Sequence, residues 1–124
     1  MGLLNQLFGN ADEIDLKELE KEFADIILPD EKMELAYKIM RDKWVFTDKR
    51  LILLDVQGVT GSKREYLSIP YANVSFFSVE TAGSFDGDCE LDIWIKGGGH
   101  VKKEFSRNTN IKAIQKALAS KVLV

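Results

Sequence analysis

Trp44-Val45-Phe46-Thr47-Asp48-Lys49-Arg50-Leu51-Ile52-Leu53-Leu54-Asp55 is the stretch on which the fold turns. Aromatic and β-branched residues fill its first arm and aliphatics its second, with polar Thr47 to Arg50 between, so it predicts a β-hairpin. A half-buried strand hides only alternate side chains. Four consecutive aliphatics, Leu51 to Leu54, therefore call for cover on both faces, one from the interior of a sheet and one from something outside it.

Upstream of the hairpin, Leu16, Leu19, Phe23, Ile26 and Ile27 recur at spacings of three and four. Asp15 as an acidic N-cap and Glu18 at the third helical position open the segment, and Pro29 after Leu28 closes it. The pattern predicts an amphipathic helix of about 13 residues, roughly 20 Å long. Its apolar stripe is the candidate second cover. Before it, Leu3, Leu4, Leu7 and Phe8 form the stripe of a two-turn helix ended by Gly9 and Asn10. Two turns are unstable alone in water, so this stripe must dock on its own fold, a second copy or a membrane surface.

From Lys32 the period changes to that of strands. Met33 to Met40 is the first, with Leu35, Tyr37 and Ile39 on one face, and Arg41-Asp42-Lys43 turns into the hairpin. Arg64 to Pro70 and Val74 to Glu80 follow, the latter with Val74, Phe76 and Ser78 on one face and Phe77 and Val79 on the other. Glu90 to Lys96 alternates Leu91, Ile93 and Ile95 inward against Asp92, Trp94 and Lys96 outward, which leaves Trp94 exposed unless something covers it. Gly97-Gly98-Gly99 suits a tight turn needing positive φ, and His100 to Ser106 returns as the seventh strand. Asn108, Thr109 and Asn110 offer capping side chains to a last helix that presents Ile111, Ile114, Leu118 and Val122 on one face.

Composition excludes several classes. At 124 residues, 45% hydrophobic and 30% charged, the chain reads as one ordinary globular domain, and no apolar run approaches the ~20 residues of a membrane-spanning helix. The opening Met-Gly-Leu-Leu-Asn-Gln has neither a secretory signal's basic flank nor the Ser or Thr that myristoylation expects at position 6. The lone Cys89 fits a reducing cytoplasm and reads as a small core filler. The net charge of -3 divides unevenly: residues 1–31 carry two lysines against nine acids, residues 32–124 fifteen bases against eleven acids. An acidic helical extension, 1–31, thus precedes a mildly basic domain, 32–124. The basic stripe and stacking aromatics of a nucleic-acid binder are absent, so nucleic acid is not expected as a partner.

Seven short strands closed by one amphipathic helix is the order of a pleckstrin-homology (PH) domain. Phe46-Thr-Asp-Lys-Arg-Leu-Ile-Leu resembles the second and third strands of the bacterial PH family, and Ile69-Pro-Tyr-Ala-Asn-Val-Ser-Phe resembles the segment that follows them. The resemblance covers about residues 32–123, and with the small bacterial subgroup that shares the N-terminal extension it spans the chain. It implies an α+β fold: a seven-stranded, bent antiparallel sheet or barrel with a C-terminal capping helix and an N-terminal helical extension. It further implies a binding and scaffolding role, and that subgroup is associated with ring-like assemblies.

The chemistry is sparse. His100, the single histidine, lacks the second His or Cys of a metal set and reads as a surface residue. Asp86, Asp88, Glu90 and Asp92 do not match the twelve-residue calcium loop. No nucleophile has a base at a telling spacing. No enzyme, metal or cofactor is therefore expected. Two binding readings follow. The first is a cytoplasmic interaction module that forms a homo-oligomer, with a ring as its candidate form and room for a further protein partner, through Leu3, Leu7, Phe8 and Trp94. The alternative is peripheral binding of an anionic membrane lipid or inositol phosphate by Lys38, Arg41 and Lys43, which fall where inositol-phosphate-binding members gather cations.

Overall fold

A computed structural model describes residues 12–13, 16–83, 88–107 and 109–124. They divide into two compact units, one of residues 12–70 and one that contains residues 71–124. In the first unit, β1 (Asp12–Glu13), β2 (Met33–Ile39), β3 (Asp42–Thr47), β4 (Arg50–Gln57) and β5 (Lys63–Pro70) form an antiparallel sheet in that order. The two-residue β1, paired with Tyr37 and Lys38, is an eighth strand beyond the seven that periodicity predicts. It is too short to show any alternation.

The expected hairpin is present. Trp44 pairs with Leu53, Val45 with Ile52 and Phe46 with Leu51. Its tip is tighter than the four polar residues suggest, because Thr47 and Arg50 end the strands and only Asp48 and Lys49 lie between. The Thr47 hydroxyl holds this tip by accepting from the backbone N–H of Lys49 at 3.0 Å and of Arg50 at 2.9 Å. Such local side-chain bonds are why Thr suits turns.

Leu51 to Leu54 are all buried, as their lack of alternation requires. The second cover is α1 (Leu16–Glu22): Leu19 and Phe23 pack with Ala36, Val45, Ile52 and Leu54 in one core cluster. Phe23 also meets Tyr66 edge-to-face at 5.6 Å. On the opposite face Tyr37, Trp44, Phe46, Leu51 and Leu53 are buried, with Tyr37 and Phe46 edge-to-face at 6.0 Å. Edge-to-face contact sets the positive ring edge against the negative ring face.

Two expectations need correction here. The helix has 7 residues rather than about 13; beyond Glu22 the chain continues in irregular turns, where both Ile26 and Ile27 bond back to the Phe23 carbonyl. The Ile26 carbonyl accepts from the Arg50 guanidinium at 2.8 Å. In β2, beyond a register shift between Met33 and Leu35, the residues Leu35, Tyr37 and Ile39 pair with Phe46, Trp44 and Asp42 and share one face as expected, while Ala36 on the other face is buried against Leu19 and Phe23. Met40, expected as the end of the strand, forms the turn with φ of 58°.

One polar cluster ties the 26–31 segment to the hairpin tip. Arg50 donates from Nε to Glu31 Oε2 and from Nη2 to Oε1, both at 2.9 Å, while Thr47 Oγ1 donates to Oε2 at 2.6 Å. The Leu28 N–H adds a bond to Oε1 at 3.2 Å. Burial alone would raise the Glu31 pKa. The bonds from Arg50, Thr47 and Leu28, with the Arg50 charge, outweigh it and hold the carboxyl at about 2.

In the second unit β6 (Val74–Glu80), β7 (Cys89–Ile95) and β8 (Gly99–Phe105) form a three-stranded antiparallel sheet. Gly97 and Gly98, at φ of 96° and 116°, supply the turn between β7 and β8. The closing helix α2 (Ile111–Val122) packs on β6 and β7 through Ile111, Ile114 and Leu118, all buried; Val122 is only half-buried. Asn110 caps it, accepting from the Ala113 N–H at 3.3 Å, whereas Asn108 lies outside the described residues. Cys89 is buried, as a core filler should be.

Candidate functional site

Among the described residues, two places gather charged or aromatic side chains at the surface, and each lies within one unit. The first is on the α1 side of the larger sheet. Pairing sets Lys38 beside Lys43, Lys43 beside Leu54 and Val56 beside Arg64. Arg41, in the turn between β2 and β3, donates to the carbonyls of Gly58 at 2.7 Å and Val56 at 3.1 Å. These bonds tie that turn to the loop after β4. The result is a depression of about 410 Å³ lined by Lys38, Arg41, Lys43 and Arg64, with Glu22 as the one acid in its lining.

Glu22 sits in the last turn of α1 and bridges two cations. Its Oε1 accepts from Lys43 Nζ and its Oε2 from Arg64 Nη1 at 2.9 Å. The sequence brings Lys38, Arg41 and Lys43 to notice because they are neighbours. It hides Arg64 and Glu22, whose only signal is the opposed charge of the extension and the domain.

The second place is the outward face of β6–β8. Phe76 pairs with Trp94 and Trp94 with His100 across the three strands. Their rings stack in series: Phe76 on Trp94 at 4.6 Å and 18°, Trp94 on His100 at 4.7 Å and 11°. Trp94 is thereby half-buried, while Phe76 stays 57% exposed. The expectation that Val74 and Phe76 share a face fails, since a register shift lies between them and Val74 is buried.

Beside the rings, His100 Nε2 lies 2.8 Å from Asp92 Oδ1, so this surface histidine has a carboxylate partner. Glu90 and Asp92 share a hydrogen bond that raises the pKa of Glu90 and lowers that of Asp92, the pattern of two carboxyls competing for one proton. Lys102 stands 3.3 Å from Glu90, whose bond and charge raise its pKa. The sheet thus offers an aromatic row flanked by a charged one. Phe76 and His100 join Trp94 only through the register, which the sequence does not print.

Of the remaining expected contacts, Leu3, Leu7 and Phe8 lie outside the described residues, as does Asp86. Among the described residues no group of His, Cys, Asp and Glu is arranged to hold a metal ion, and no helix is long and apolar enough to cross a membrane.

The model of the bacterial PH domain family matches residues 2–122. YjqA of Bacillus subtilis (strain 168) is 52% identical over 122 residues, covering 97% of this chain and 98% of that protein. The crystal structure of a pleckstrin homology domain from Shewanella amazonensis SB2B is 50% identical and similar at a TM-score of 0.85, over 99% of this chain and 100% of that one. A DUF1696 family protein with a pleckstrin-homology domain from Shewanella loihica PV-4 is 48% identical at a TM-score of 0.77, over 92% and 98% respectively. The chain belongs to the bacterial PH domain family, and its α+β fold is PH-like.

Proposed function

We propose that this PH domain is a non-enzymatic, cytoplasmic interaction module whose principal partner is a second copy of itself. The observation that carries this reading is the stacked row Phe76–Trp94–His100 with Phe76 more than half exposed. A large apolar ring left in water forgoes about 1.5 to 3 kcal/mol that burial against a partner would recover. The opposed charges of residues 1–31 and 32–124 favour a head-to-tail contact, and a head-to-tail contact that closes makes a ring. Leu3, Leu7 and Phe8 belong to this proposal as apolar residues of the acidic partner segment.

The test is the mass in solution by light scattering after size exclusion, for the native chain, Trp94→Ala, Phe76→Ala and a chain lacking residues 1–10. An oligomer that loses subunits in these variants supports the reading. A monomer at high micromolar concentration overturns self-association, and an oligomer indifferent to all three overturns the contacts assigned to it.

A second reading is favoured by one observation. Lys38, Arg41 and Lys43 surround a single depression with Arg64, an arrangement suited to an anionic headgroup or inositol phosphate. Retention on anionic vesicles that falls when Lys38 and Arg41 are replaced by alanine would support it; equal retention would remove it.

A further inference from the structure

The cationic depression already contains an anion, and it belongs to the chain. One Glu22 carboxylate, its side chain 23% exposed, spans Lys43 on β3 and Arg64 on β5. Two cations converging on two oxygens of one group is also how a phosphate is held. Lys38 and Arg41 bring the cations of the lining to four against this one carboxylate. The bonds from Arg41 go to neutral carbonyls, so its charge is not cancelled there. Next to Glu22, Phe23 is fully buried, and Leu19 three residues before it is 1% exposed. The helix is therefore anchored in the core, and the part-exposed Glu22 side chain stands at its end.

We propose that Glu22 is a built-in competitor that sets which anions this depression accepts. The proposal rests on the anion-binding reading and adds a rule of selectivity. A tethered carboxylate acts at an effective concentration in the millimolar range, so a monoanion such as acetate, which offers no more charge or acceptors, does not displace it. A phosphate monoester brings a charge near -2 and three acceptor oxygens on one phosphorus, a polyphosphate more charge still, and either takes Lys43 and Arg64 from Glu22 with help from Lys38 and Arg41. The ligand class is thus a multiply charged phosphate, either free or displayed as a lipid headgroup.

The experiment titrates inorganic tripolyphosphate, and separately acetate, into the full chain, Glu22→Gln and the double variant Lys43→Ala/Arg64→Ala by calorimetry. Glutamine keeps the size and hydrogen-bonding reach of the side chain but not its charge. Glu22→Gln should bind tripolyphosphate at least about ten-fold more tightly than the native chain, a change of about 1.4 kcal/mol. The double variant should lose binding, and acetate should bind none of the three. Equal affinity of the native chain and Glu22→Gln, abolished in the double variant, overturns the role of Glu22 while leaving the anion site standing. Absence of binding by both overturns the site itself. Should Glu22→Gln not fold, Glu22→Asp, one methylene too short to bridge both cations, is held to the same ten-fold direction. Parallel sedimentation with phosphatidic acid vesicles separates the sources: tighter retention there than on soluble tripolyphosphate assigns a lipid headgroup, the reverse a free phosphate, and either agrees with the proposal.

Discussion

The sheet of β1–β5 and the sheet of β6–β8 treat their outward residues differently. On the first, Ala36, Val45, Ile52 and Leu54 are sealed by Leu19 of α1 and Phe23 just after it. On the second, Phe76, Trp94 and His100 lean on one another and leave Phe76 57% exposed. Both sequences carry apolar residues on the two faces of a strand, so patterning alone does not separate them. The first sheet has an amphipathic segment one connection away in the chain, whereas α2 covers the inner face of the second. A face sealed within its unit stabilises the fold, and a face of stacked but wet rings is available to a partner.

The sharpest way to break this contrast is to remove a ring from the sealed face. Phe23→Ala, or Phe46→Ala on the opposite face of the same sheet, should cost about 3 to 5 kcal/mol, enough to unfold most of a marginally stable domain. Urea denaturation measures it, and an unchanged midpoint for Phe46→Ala would rule out the placement of the hairpin.

The polar cluster at the hairpin tip should respond next. Glu31→Gln removes the charge that Arg50 and Thr47 bond, and is expected to cost about 2 to 3 kcal/mol. The pH dependence has a definite sign. The Glu31 pKa falls from 4.5 to about 2 in the folded protein, so its contribution is complete above 4.5 and is lost as pH drops toward 2. From about pH 6 to about pH 3 the native chain should lose about 2 kcal/mol more than Glu31→Gln does. Parallel slopes in the two proteins would show that the cluster is not what acid breaks.

A smaller effect belongs to the second unit, where Asn110 caps α2 with a single bond. Asn110→Ala should cost about 1 kcal/mol, because one helical N–H loses its acceptor yet water can replace it. Melting followed by circular dichroism detects a loss of this size; a cost above about 3 kcal/mol would mean the side chain does more than cap.

What could be read in advance, and what could not, follows from how far apart the partners lie. The hairpin and both amphipathic helices announce themselves within windows of about a dozen residues, where period and capping act locally. The alternation holds in β2, where Leu35, Tyr37 and Ile39 share one face, and fails at Val74/Phe76, because a bulge shifts it without changing any residue type. Pro29 marks the last residue a helix could reach and not where the regular turns stop, and the bond from Arg50 to the Ile26 carbonyl, across 24 residues, ties the irregular 23–28 stretch to the hairpin in a way no local window shows. The candidate sites divide in the same way. Lys38, Arg41 and Lys43 are neighbours in sequence, whereas Glu22 finds Lys43 at a separation of 21 residues and Arg64 at 42. Phe76 and His100 flank Trp94 only when three strands take one register.

The smallest effect on stability tests the comparison most directly. Among the described residues Phe76 stacks on the Trp94 ring alone, and it is largely solvated, so Phe76→Ala removes one contact of a kind worth about 0.5 to 1.5 kcal/mol and opens no cavity. Its cost to the folded chain should stay under about 1 kcal/mol, several-fold below that of Phe23→Ala. If the ring serves a partner, however, its loss should show in association: subunits leave at protein concentrations where the native chain stays assembled. Equilibrium sedimentation of Phe76→Ala and the native chain over a concentration series measures this apart from folding. A variant as stable as the native chain but less associated places the ring at an interface. One that loses several kcal/mol of stability while associating normally would show that the second sheet, like the first, closes its outward face on itself.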